Sequence, residues 1–298
     1  MKAIITGATG YIGFHLVKYL IENQWEVYAI VRSTSKIDKL NSLGVHLFIY
    51  NENIKQLNIF FNKVKADVVF HVAAAVITNA NQEQVLTLID SNVKFGTAIL
   101  EAMKNSPTHL FINTGTYWQN CNSEEYNPVD LYAASKEAFE KIITYYTECG
   151  YLRCITLRLY DVYGEDDERP KLLNLLCDIA GTDKTIDISP AHQQLDMVHI
   201  SDVCNAYLAA YNLLNNDKNI INRIYGVYSG VRYELHTVIE MLQDIIKRPI
   251  HINIGAKPYK SREIMTPTTS TPQLPTWKCK VSLSRGLKIL ASSNKKCK

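Results

Sequence analysis

The chain begins with a glycine-rich turn between an apolar segment and an amphipathic one. Residues 4–13 read Ile-Ile-Thr-Gly-Ala-Thr-Gly-Tyr-Ile-Gly, so glycine stands at positions 7, 10 and 13. The apolar residues 1–6 predict a buried strand, and the spacing of apolar side chains over 11–23 predicts a helix. A strand that turns this sharply into a helix needs glycine, because a Cβ would block both the turn and a close-lying ligand.

This turn predicts a binding site for a dinucleotide. It presents free backbone N–H groups at the positive end of a helix dipole, where phosphate binds. A glycine triplet alone is weak evidence, but here it follows a predicted strand and opens a predicted helix, the context that indicates dinucleotide binding. A tight turn with no ligand is the alternative. The predicted contacts are Gly7, Thr9, Gly10, Tyr11, Ile12 and Gly13.

Strands and helices alternate through the first half of the chain. Further strands are predicted at 26–31, 45–50, 67–72, 110–114 and 152–158, and helices at 35–43, 53–65, 81–104 and 131–149. The strands are apolar on both faces, which indicates a parallel sheet covered by helices on both sides. Right-handed crossovers then give a doubly wound α/β Rossmann sheet that binds ligands at the carboxyl ends of its strands. Residues 1–163 are predicted to form this dinucleotide-binding domain.

The regular alternation of strands and helices ends after residue 163. Helices are predicted at 171–180, 202–214 and 234–247, short strands at 185–188, 197–200, 221–226 and 250–254, and loops at 115–130 and 266–276. We expect residues 164–298 to form mainly a small C-terminal substrate-binding lobe over the carboxyl edge of the sheet. Some of these segments are expected to return to the Rossmann domain.

Charge and cysteine content exclude several classes of function. The 298 residues carry a net charge of +3 with no basic stripe, which argues against a nucleic-acid partner. No apolar run is long enough to cross a bilayer, and Lys2 leads into a strand instead of a signal peptide. The seven cysteines include no C-x-x-C pair, so neither a zinc site nor a disulfide framework is predicted. We expect a cytoplasmic protein with reduced thiols and no metal.

Tyr132 and Lys136 stand in the segment Tyr-Ala-Ala-Ser-Lys at the start of a predicted helix. Their spacing places both side chains on one helical face. An ammonium beside a phenol favours the phenolate, and so does the cation of a nicotinamide bound nearby. We therefore expect the pKa of Tyr132 to fall from about 10 toward neutrality. Thr114 ends a predicted strand, where its hydroxyl can hydrogen-bond a substrate carbonyl. The three residues predict proton transfer at a carbonyl; an exposed helical face is the alternative for the Tyr–Lys pair.

The end of the second strand bears on which dinucleotide binds. In NAD-specific Rossmann proteins an acidic residue ends this strand and binds the ribose hydroxyls. Val31 stands there instead and Arg32 follows, so no carboxylate repels a 2′-phosphate and a guanidinium is available to bind it. The pattern favours NADPH over NAD. A surface arginine at the start of a loop is the alternative.

These motifs resemble the extended short-chain dehydrogenase/reductase family, the NAD(P)-dependent epimerase/dehydratase group. The glycine motif and the Thr–Tyr–Lys set match its pattern, as do the segments at 67–74, 92–97, 157–164 and 195–203. The resemblance covers nearly the whole chain. It implies catalytic roles for Thr114, Tyr132 and Lys136, and cofactor contacts by Tyr132, Lys136, Asn51 and Ala73. His71 is implied to be a structural residue at a strand end.

The resemblance also narrows the set of possible reactions. Sugar-nucleotide 4,6-dehydratases of this family carry an Asp-Glu pair directly after the catalytic threonine, whereas this chain has Gly115 and Thr116. Epimerases return the hydride to the same substrate and hold NAD tightly, while a phosphate-selective site at Arg32 favours net reduction with exchange of NADPH. The implied reaction is reduction of a ketone, with Tyr132 supplying the proton. A nucleotide-sugar C4 epimerase and a non-catalytic NADP-sensing protein are the alternatives.

The segments 117–118, 126–128 and 164–172 resemble the CDP-paratose and CDP-abequose synthase group, as does Asp161 in place of the usual asparagine. Those enzymes reduce C4 of a CDP-linked 3,6-dideoxy-4-hexulose, which implies deoxysugar biosynthesis for a surface polysaccharide such as the lipopolysaccharide O-antigen. Leu195 departs from the pattern, because many relatives have arginine there. The predicted substrate-binding residues are Thr116, Arg169, Lys171 and Arg262, the three cations being candidates for the diphosphate.

Relatives in this family often pair through two helices that form a four-helix bundle between subunits. In this chain those helices are predicted at 81–104 and 131–149. Apolar side chains that either serve this interface or belong to the core are Ile142, Ile143, Tyr145 and Tyr146. We therefore expect a homodimer.

Overall fold

The computed structural model describes residues 1–294, so Cys297 and the end of the predicted lobe lie outside the described residues. The strands are β1 Lys2–Thr6, β2 Glu26–Arg32, β3 His46–Tyr50, β4 Val68–His71, β5 Leu110–Thr116, β6 Arg153–Leu159, β7 Asp161–Tyr163, β8 Thr185–Ile188, β9 Gln194–Leu195, β10 Met197–His199, β11 Asn222–Val227, β12 Tyr233–Glu234 and β13 His251–Ile254. The α-helices are α1 Tyr11–Glu22, α2 Asp38–Asn41, α3 Ile54–Val64, α4 Gln82–Ile89, α5 Phe95–Lys104, α6 Leu131–Glu148, α7 Leu172–Ile179, α8 Ile200–Asn216, α9 Leu235–Ile246 and α10 Leu283–Ser293.

The central sheet has seven strands in the order β11-β6-β5-β4-β1-β2-β3. All of its neighbouring strands pair in parallel. Since the order reverses between β1 and β4, the carboxyl ends of these two strands form the crevice where such sheets bind ligands. The predicted doubly wound Rossmann fold is confirmed.

Apolar cores cover both faces of the sheet, as the strand patterns require. One core packs α1 and α8 against the sheet, and the other packs α3, α5 and α6 against the opposite face. A separate core lies in the C-terminal part of the chain, between α7, α9 and α10. The strand β11 returns from beyond residue 163 to pair with β6.

The predicted helix 81–104 contains a π-helical turn at Asp90–Lys94 between α4 and α5. In this turn the Asn92 side chain accepts a hydrogen bond from Ala75 N at 2.7 Å. It donates to Ala75 O at 3.0 Å and to Ser135 Oγ at 3.0 Å. This turn therefore links the segment after β4 to α6.

Three other element predictions were wrong in detail. The strand predicted at 110–114 continues to Thr116, and a 3₁₀ helix at Tyr117–Gln119 begins what was predicted as a loop. The helix predicted at 35–43 is confined to Asp38–Asn41. The helix α10 was missed, although Leu283, Leu287 and Leu290 are buried at helical spacing.

Within residues 1–294, no helix is long and apolar enough to span a membrane. The six cysteines of this region form no disulfide with one another. Of the four apolar residues considered for a subunit interface, Ile143 and Tyr146 are buried in the core and Tyr145 is 56% exposed. Ile142 is partly buried against the same core.

Candidate active site

The glycine-rich turn joins β1 to α1. Gly7 has a φ of +73°, and a Cβ there would lie 2.6 Å from Ala73 N. A Cβ on Gly13 would lie 2.1 Å from Gly7 O, so neither position accepts a side chain. Gly10 precedes α1 and no side chain caps it, although Gly10 N donates to Gly7 O at 3.0 Å. The first N–H groups of α1 are therefore open to a phosphate.

Tyr11 connects this turn to the segment after Gly164. Its ring packs edge-on against His15 at a centroid distance of 4.9 Å, and the Arg169 guanidinium lies 4.4 Å from the ring centroid. Ile12 is half-buried, and Thr9 is exposed at the tip of the turn. The side chain of Tyr11 therefore packs against the protein, which leaves its backbone N–H for a ligand.

The end of β2 carries no carboxylate. Val31 is buried, while Arg32 is exposed and donates its N–H to Ser35 Oγ at 3.1 Å. Arg32 pairs in register with Tyr50, so the exposed Asn51 follows on the neighbouring strand. Arg32 and Asn51 thus lie at adjacent strand ends of the same sheet edge.

Tyr132 and Lys136 lie in the first turns of α6. The helix begins where the Asp130 side chain accepts from Ala133 N at 2.8 Å. Tyr132 is 9% exposed and Lys136 only 1%, so the pair is not on an exposed helical face. Among residues 1–294, the Lys136 ammonium has no hydrogen-bond partner. Burial lowers the pKa of Lys136 to about 8, against a smaller raising effect of the Glu140 carboxylate.

The protein groups around Tyr132 do not by themselves produce the expected lowering of its pKa. Burial raises the pKa of this phenol well above its usual value, and the nearby Asp130 carboxylate raises it further. The Arg169 guanidinium opposes this rise. At neutral pH the Tyr132 phenol therefore carries its proton and can donate it to an acceptor.

Thr114 is buried near the carboxyl end of β5. Its hydroxyl donates to His71 O at 2.7 Å and lies 2.7 Å from the Tyr207 hydroxyl. Because the Thr114 proton points to His71 O, the Tyr207 hydroxyl must be the donor to Thr114. Tyr207, in the fully buried part of α8, was not singled out in the sequence, where helical spacing marks it only as a core residue.

His71 fits its implied structural role. Its Nδ1 lies 2.9 Å from Thr6 Oγ1, a buried contact between β4 and β1. Burial lowers the pKa of His71 to about 3, and the Lys136 charge lowers it further, so the ring is neutral. A neutral, buried imidazole at this place holds the sheet together beside the Tyr–Lys pair.

Thr116 lies two residues beyond Thr114 on the same face of β5. Its hydroxyl accepts from Trp118 N at 3.3 Å and so caps the 3₁₀ helix. The Trp118 ring meets the Tyr132 ring edge-on at 6.4 Å. The segment after β5 therefore closes one side of the space next to Tyr132.

The three cations predicted for the diphosphate all have partners within the chain. Arg169 bonds both oxygens of Asp167, at 2.6 and 2.7 Å, while it stacks on Tyr11. Lys171 Nζ donates to Val162 O at 3.2 Å. Arg262 Nε donates to Pro128 O at 2.8 Å, and its Nη2 bonds Asn127. Arg169 thus lies at the glycine turn, and Arg262 lies at the loop before α6.

Asp161 begins β7 next to these cations. Its Oδ2 accepts from the Tyr117 hydroxyl at 2.9 Å, and the Tyr117 ring stacks on Tyr160 at 4.6 Å. Burial raises the pKa of Asp161 to about 6, while the Lys171 charge opposes the rise. The carboxyl that replaces the usual asparagine is therefore held by a tyrosine within the predicted substrate region.

The fold implies a nicotinamide dinucleotide, and two features of this chain fit it. The glycine turn is a cradle that a Cβ at Gly7 or Gly13 would fill. The Lys136 ammonium is a buried donor without a partner among residues 1–294, as expected of a group that binds ribose hydroxyls. The fold and this site together define a Rossmann-type protein with a cradle for a dinucleotide beside a buried Tyr–Lys pair.

Comparison with known proteins agrees with this class. The family model described as the NAD dependent epimerase/dehydratase family matches residues 3–225, and the chain belongs to this family. Two CDP-abequose synthases are similar over most of their length: that of Yersinia pseudotuberculosis is 27% identical over 90% of this chain and 92% of its own, and that of Salmonella muenchen is 28% identical over 98% and 97%. The structure of a UDP-glucose 4-epimerase from Thermotoga maritima with UDP-glucose superimposes with a TM-score of 0.83 at 22% identity, covering 98% of both chains.

Proposed function

We propose that the chain is an NADPH-dependent reductase of the C4 ketone of a nucleotide-linked deoxy-4-hexulose, a CDP-sugar being favoured. The observation that carries the proposal is the sequence Thr114-Gly115-Thr116 on β5 beside the buried pair Tyr132 and Lys136. This arrangement offers a proton donor to a carbonyl oxygen, but Gly115 and Thr116 stand where the dehydratases carry the Asp-Glu pair that eliminates water. The similarity to CDP-abequose synthases along nearly the whole chain supports the substrate class.

The dinucleotide would be held at the carboxyl edge of the sheet. The N–H groups at the start of α1 would bind its pyrophosphate, Lys136 its ribose hydroxyls and Arg32 its 2′-phosphate. Asn51 and Ala73 would line the same cleft. When bound, NADPH supplies the hydride for the reduction. Val31 and Arg32 support NADPH over NAD, because no carboxylate at the end of β2 opposes the phosphate.

Tyr132 would act as the general acid. Its buried phenol is protonated at neutral pH and would give this proton to the oxygen at C4 as the carbonyl becomes an alcohol. The Lys136 ammonium, one helical turn away, would stabilise the phenolate that remains. Thr114 would turn its proton from His71 O toward the same oxygen, since the Tyr207 hydroxyl can hold the oxygen of Thr114.

The nucleotide sugar would be contacted by Thr116, Lys171, Arg169 and Arg262. To bind a phosphate, each arginine would have to give up a hydrogen bond that it makes within the chain. Arg232 is a further candidate because Leu195 leaves no cation on β9. It lies next to Tyr233, which pairs with Leu195, and its Nη2 donates to Thr269 Oγ1 at 3.5 Å. The product would serve the synthesis of a dideoxyhexose for a surface polysaccharide.

The test is oxidation of NADPH by the purified protein with CDP-linked 3,6-dideoxy-4-hexulose and with UDP-, GDP- and dTDP-linked 4-keto-6-deoxyhexoses. We expect turnover with at least the CDP-sugar, and a fall of about 10²–10⁴-fold for Tyr132→Phe. Loss of NADPH without a nucleotide sugar alcohol as product would contradict the proposal. Tightly bound NAD with interconversion of C4 epimers would show an epimerase instead, and binding of NADPH without turnover would show a sensing protein.

A further inference from the structure

A buried ion network lies beneath the carboxyl end of β5. Arg158 of β6 donates from Nη2 to Glu137 at 2.8 Å and to Glu140 at 2.7 Å, both on α6. Its Nη1 donates to Asn120 Oδ1 at 2.7 Å, and Gln119 Nε2 donates to Glu137 at 2.7 Å. All five residues are less than 10% exposed. The network therefore joins the helix that carries Tyr132 and Lys136 to β6 and to the segment after β5.

Gly115 makes room for this network. A Cβ at this position would lie 2.8 Å from Glu140 Oε1 and 3.0 Å from Arg158 Cγ. The residue that follows Thr114 is therefore without a side chain because the ion network occupies the space beneath it. This couples the network to the strand that carries Thr114 and Thr116.

The charges of the network do not cancel by themselves. Two carboxylates face one guanidinium, and burying such charges is costly unless each has a partner. Glu137 has a second cation in Lys141, whose Nζ lies 3.1 Å from Glu137 Oε1. Within residues 1–294, Glu140 forms an ion pair with Arg158 alone, which bonds it from Nη2 and also, at 3.4 Å, from Nε. Glu140 stands one helical turn after Lys136, whose buried ammonium has no hydrogen-bond partner in the same part of the chain.

We infer that Glu140, held in place by Arg158, is a positioning residue that keeps the buried Lys136 ammonium charged beside Tyr132. Around Lys136, Glu140 on α6 is the charged group that favours the ammonium. His71 on β4 is neutral, and the Tyr132 phenol on α6 is protonated at neutral pH. A charged Lys136 is what the proposed proton transfer needs, so the role of Glu140 in turnover depends on the proposed function, whereas its effect on Lys136 does not.

The experiment follows the titration of Lys136 by NMR of protein labelled with ¹³C at the lysine ε-carbons, with the Lys136 signal assigned from Lys136→Met. In the wild type we expect a midpoint near pH 8. Glu140→Gln should lower it by at least about half a pH unit, because a buried carboxylate next to the ammonium is removed. Glu137→Gln is the matched control: it breaks a bond to the same arginine, and it should move the midpoint much less.

A midpoint unchanged in Glu140→Gln, or moved equally in Glu137→Gln, would overturn the inference. Should Glu140→Gln fail to fold, Glu140→Asp is the second variant, since it keeps the charge but moves it away by one methylene. A smaller downward shift of the Lys136 midpoint is then expected, and the absence of this shift would count against the inference. In active protein, the alkaline limb of kcat/KM for NADPH-dependent reduction should move with the NMR midpoint in each variant. If the wild type has no reductase activity, the proposed function fails while the NMR titration still decides the role of Glu140.

Discussion

Arg32 is the residue on which the proposed preference for NADPH over NAD rests. It is exposed at the end of β2, where the proposed 2′-phosphate would lie, while the preceding Val31 is buried. We predict that Arg32→Glu weakens NADPH binding by roughly tenfold to hundredfold, the value of one charged hydrogen bond, and leaves NADH binding nearly unchanged. Fluorescence titration with each cofactor measures both affinities.

The control for this prediction is Arg223→Glu, the same charge reversal at an exposed position of β11. This strand forms the edge of the sheet opposite to β3, far from the end of β2. Equal loss of NADPH affinity in both variants would mean a general effect of net charge. Unchanged selectivity in Arg32→Glu would refute the assignment of the phosphate to Arg32.

The burial of Lys136 should make the stability of the fold depend on pH. Its folded-state pKa of about 8 lies below the ordinary value of 10.5, so folding disfavours the charged form. Between these two values the unfolded chain binds more protons, and stability therefore rises with pH. Relative to Lys136→Met, the free energy of unfolding of the wild type should increase by about 2 kcal/mol from pH 7.5 to pH 9.5.

Urea unfolding at the two pH values measures this difference. Lys63→Met, at an exposed site on α3, is the control, and its difference from the wild type should not change with pH. A wild-type advantage that is constant or falls over this range would show that the Lys136 ammonium is not disfavoured by burial.

In the strand–turn–helix element β1–α1, we predict that two glycine substitutions have different effects, one on folding and the other on cofactor binding. At Gly13 a Cβ would overlap the backbone of Gly7, whereas at Gly10 the nearest atom, Gly7 O, is 3.3 Å away. Gly13→Ala should therefore destabilise the fold by about 1–3 kcal/mol or more. Gly10→Ala should unfold near the wild-type midpoint but bind NADPH more weakly, because its methyl group would lie where we propose that the pyrophosphate approaches.

Urea unfolding and NADPH titration on both variants test this pair of outcomes. Equal destabilisation by the two substitutions would mean that the turn relaxes around either Cβ. Unchanged NADPH affinity in Gly10→Ala would place the pyrophosphate elsewhere.

At the scale of elements, the local sequence pattern was sufficient to predict a strand or helix where the burial of one face determines its secondary structure. The apolar strands and the helical spacing of α1, α6 and α8 could be recognised in the sequence, and they predicted the doubly wound Rossmann fold. The π-turn at Asp90–Lys94 could not be predicted in this way, because the bonds that Asn92 makes there reach Ala75 and Ser135 on separate segments. The helix α10 did carry a pattern, in the spacing of Leu283, Leu287 and Leu290.

The residues of the candidate site also fall into those that local sequence predicts and those that it does not. Gly7, Gly13, Tyr132 and Lys136 stand in short motifs whose spacing implies their geometry, and the structure brings them to one sheet edge. The hydroxyl contact between Thr114 and Tyr207 joins residues far apart in sequence, and so does the Arg158–Glu140 ion pair. No local spacing encodes such contacts, since only the packing of α8 and α6 on the sheet creates them.

At the scale of the whole molecule, α4 and α6 pack side by side and leave apolar side chains in solvent. Leu86 is 71% exposed, Tyr145 56% and Ile89 37%, whereas Ile143 and Tyr146 on α6 are buried. The buried residues hold α6 to its own sheet, so only the exposed ones can serve a subunit interface. A stable interface buries about 1,600 Å² in total, which two adjacent helices from each subunit can supply.

We predict a homodimer that pairs through this helical surface. Sedimentation of the wild type should give the mass of two chains, and the double substitution Leu86→Glu with Tyr145→Glu should give that of one, because four carboxylates would then face each other in an apolar contact. Ile254→Glu, at a site on β13 that is 46% exposed, is the control and should remain dimeric. A monomeric wild type would refute the dimer, and a dimer that survives the double substitution would place the interface on another surface.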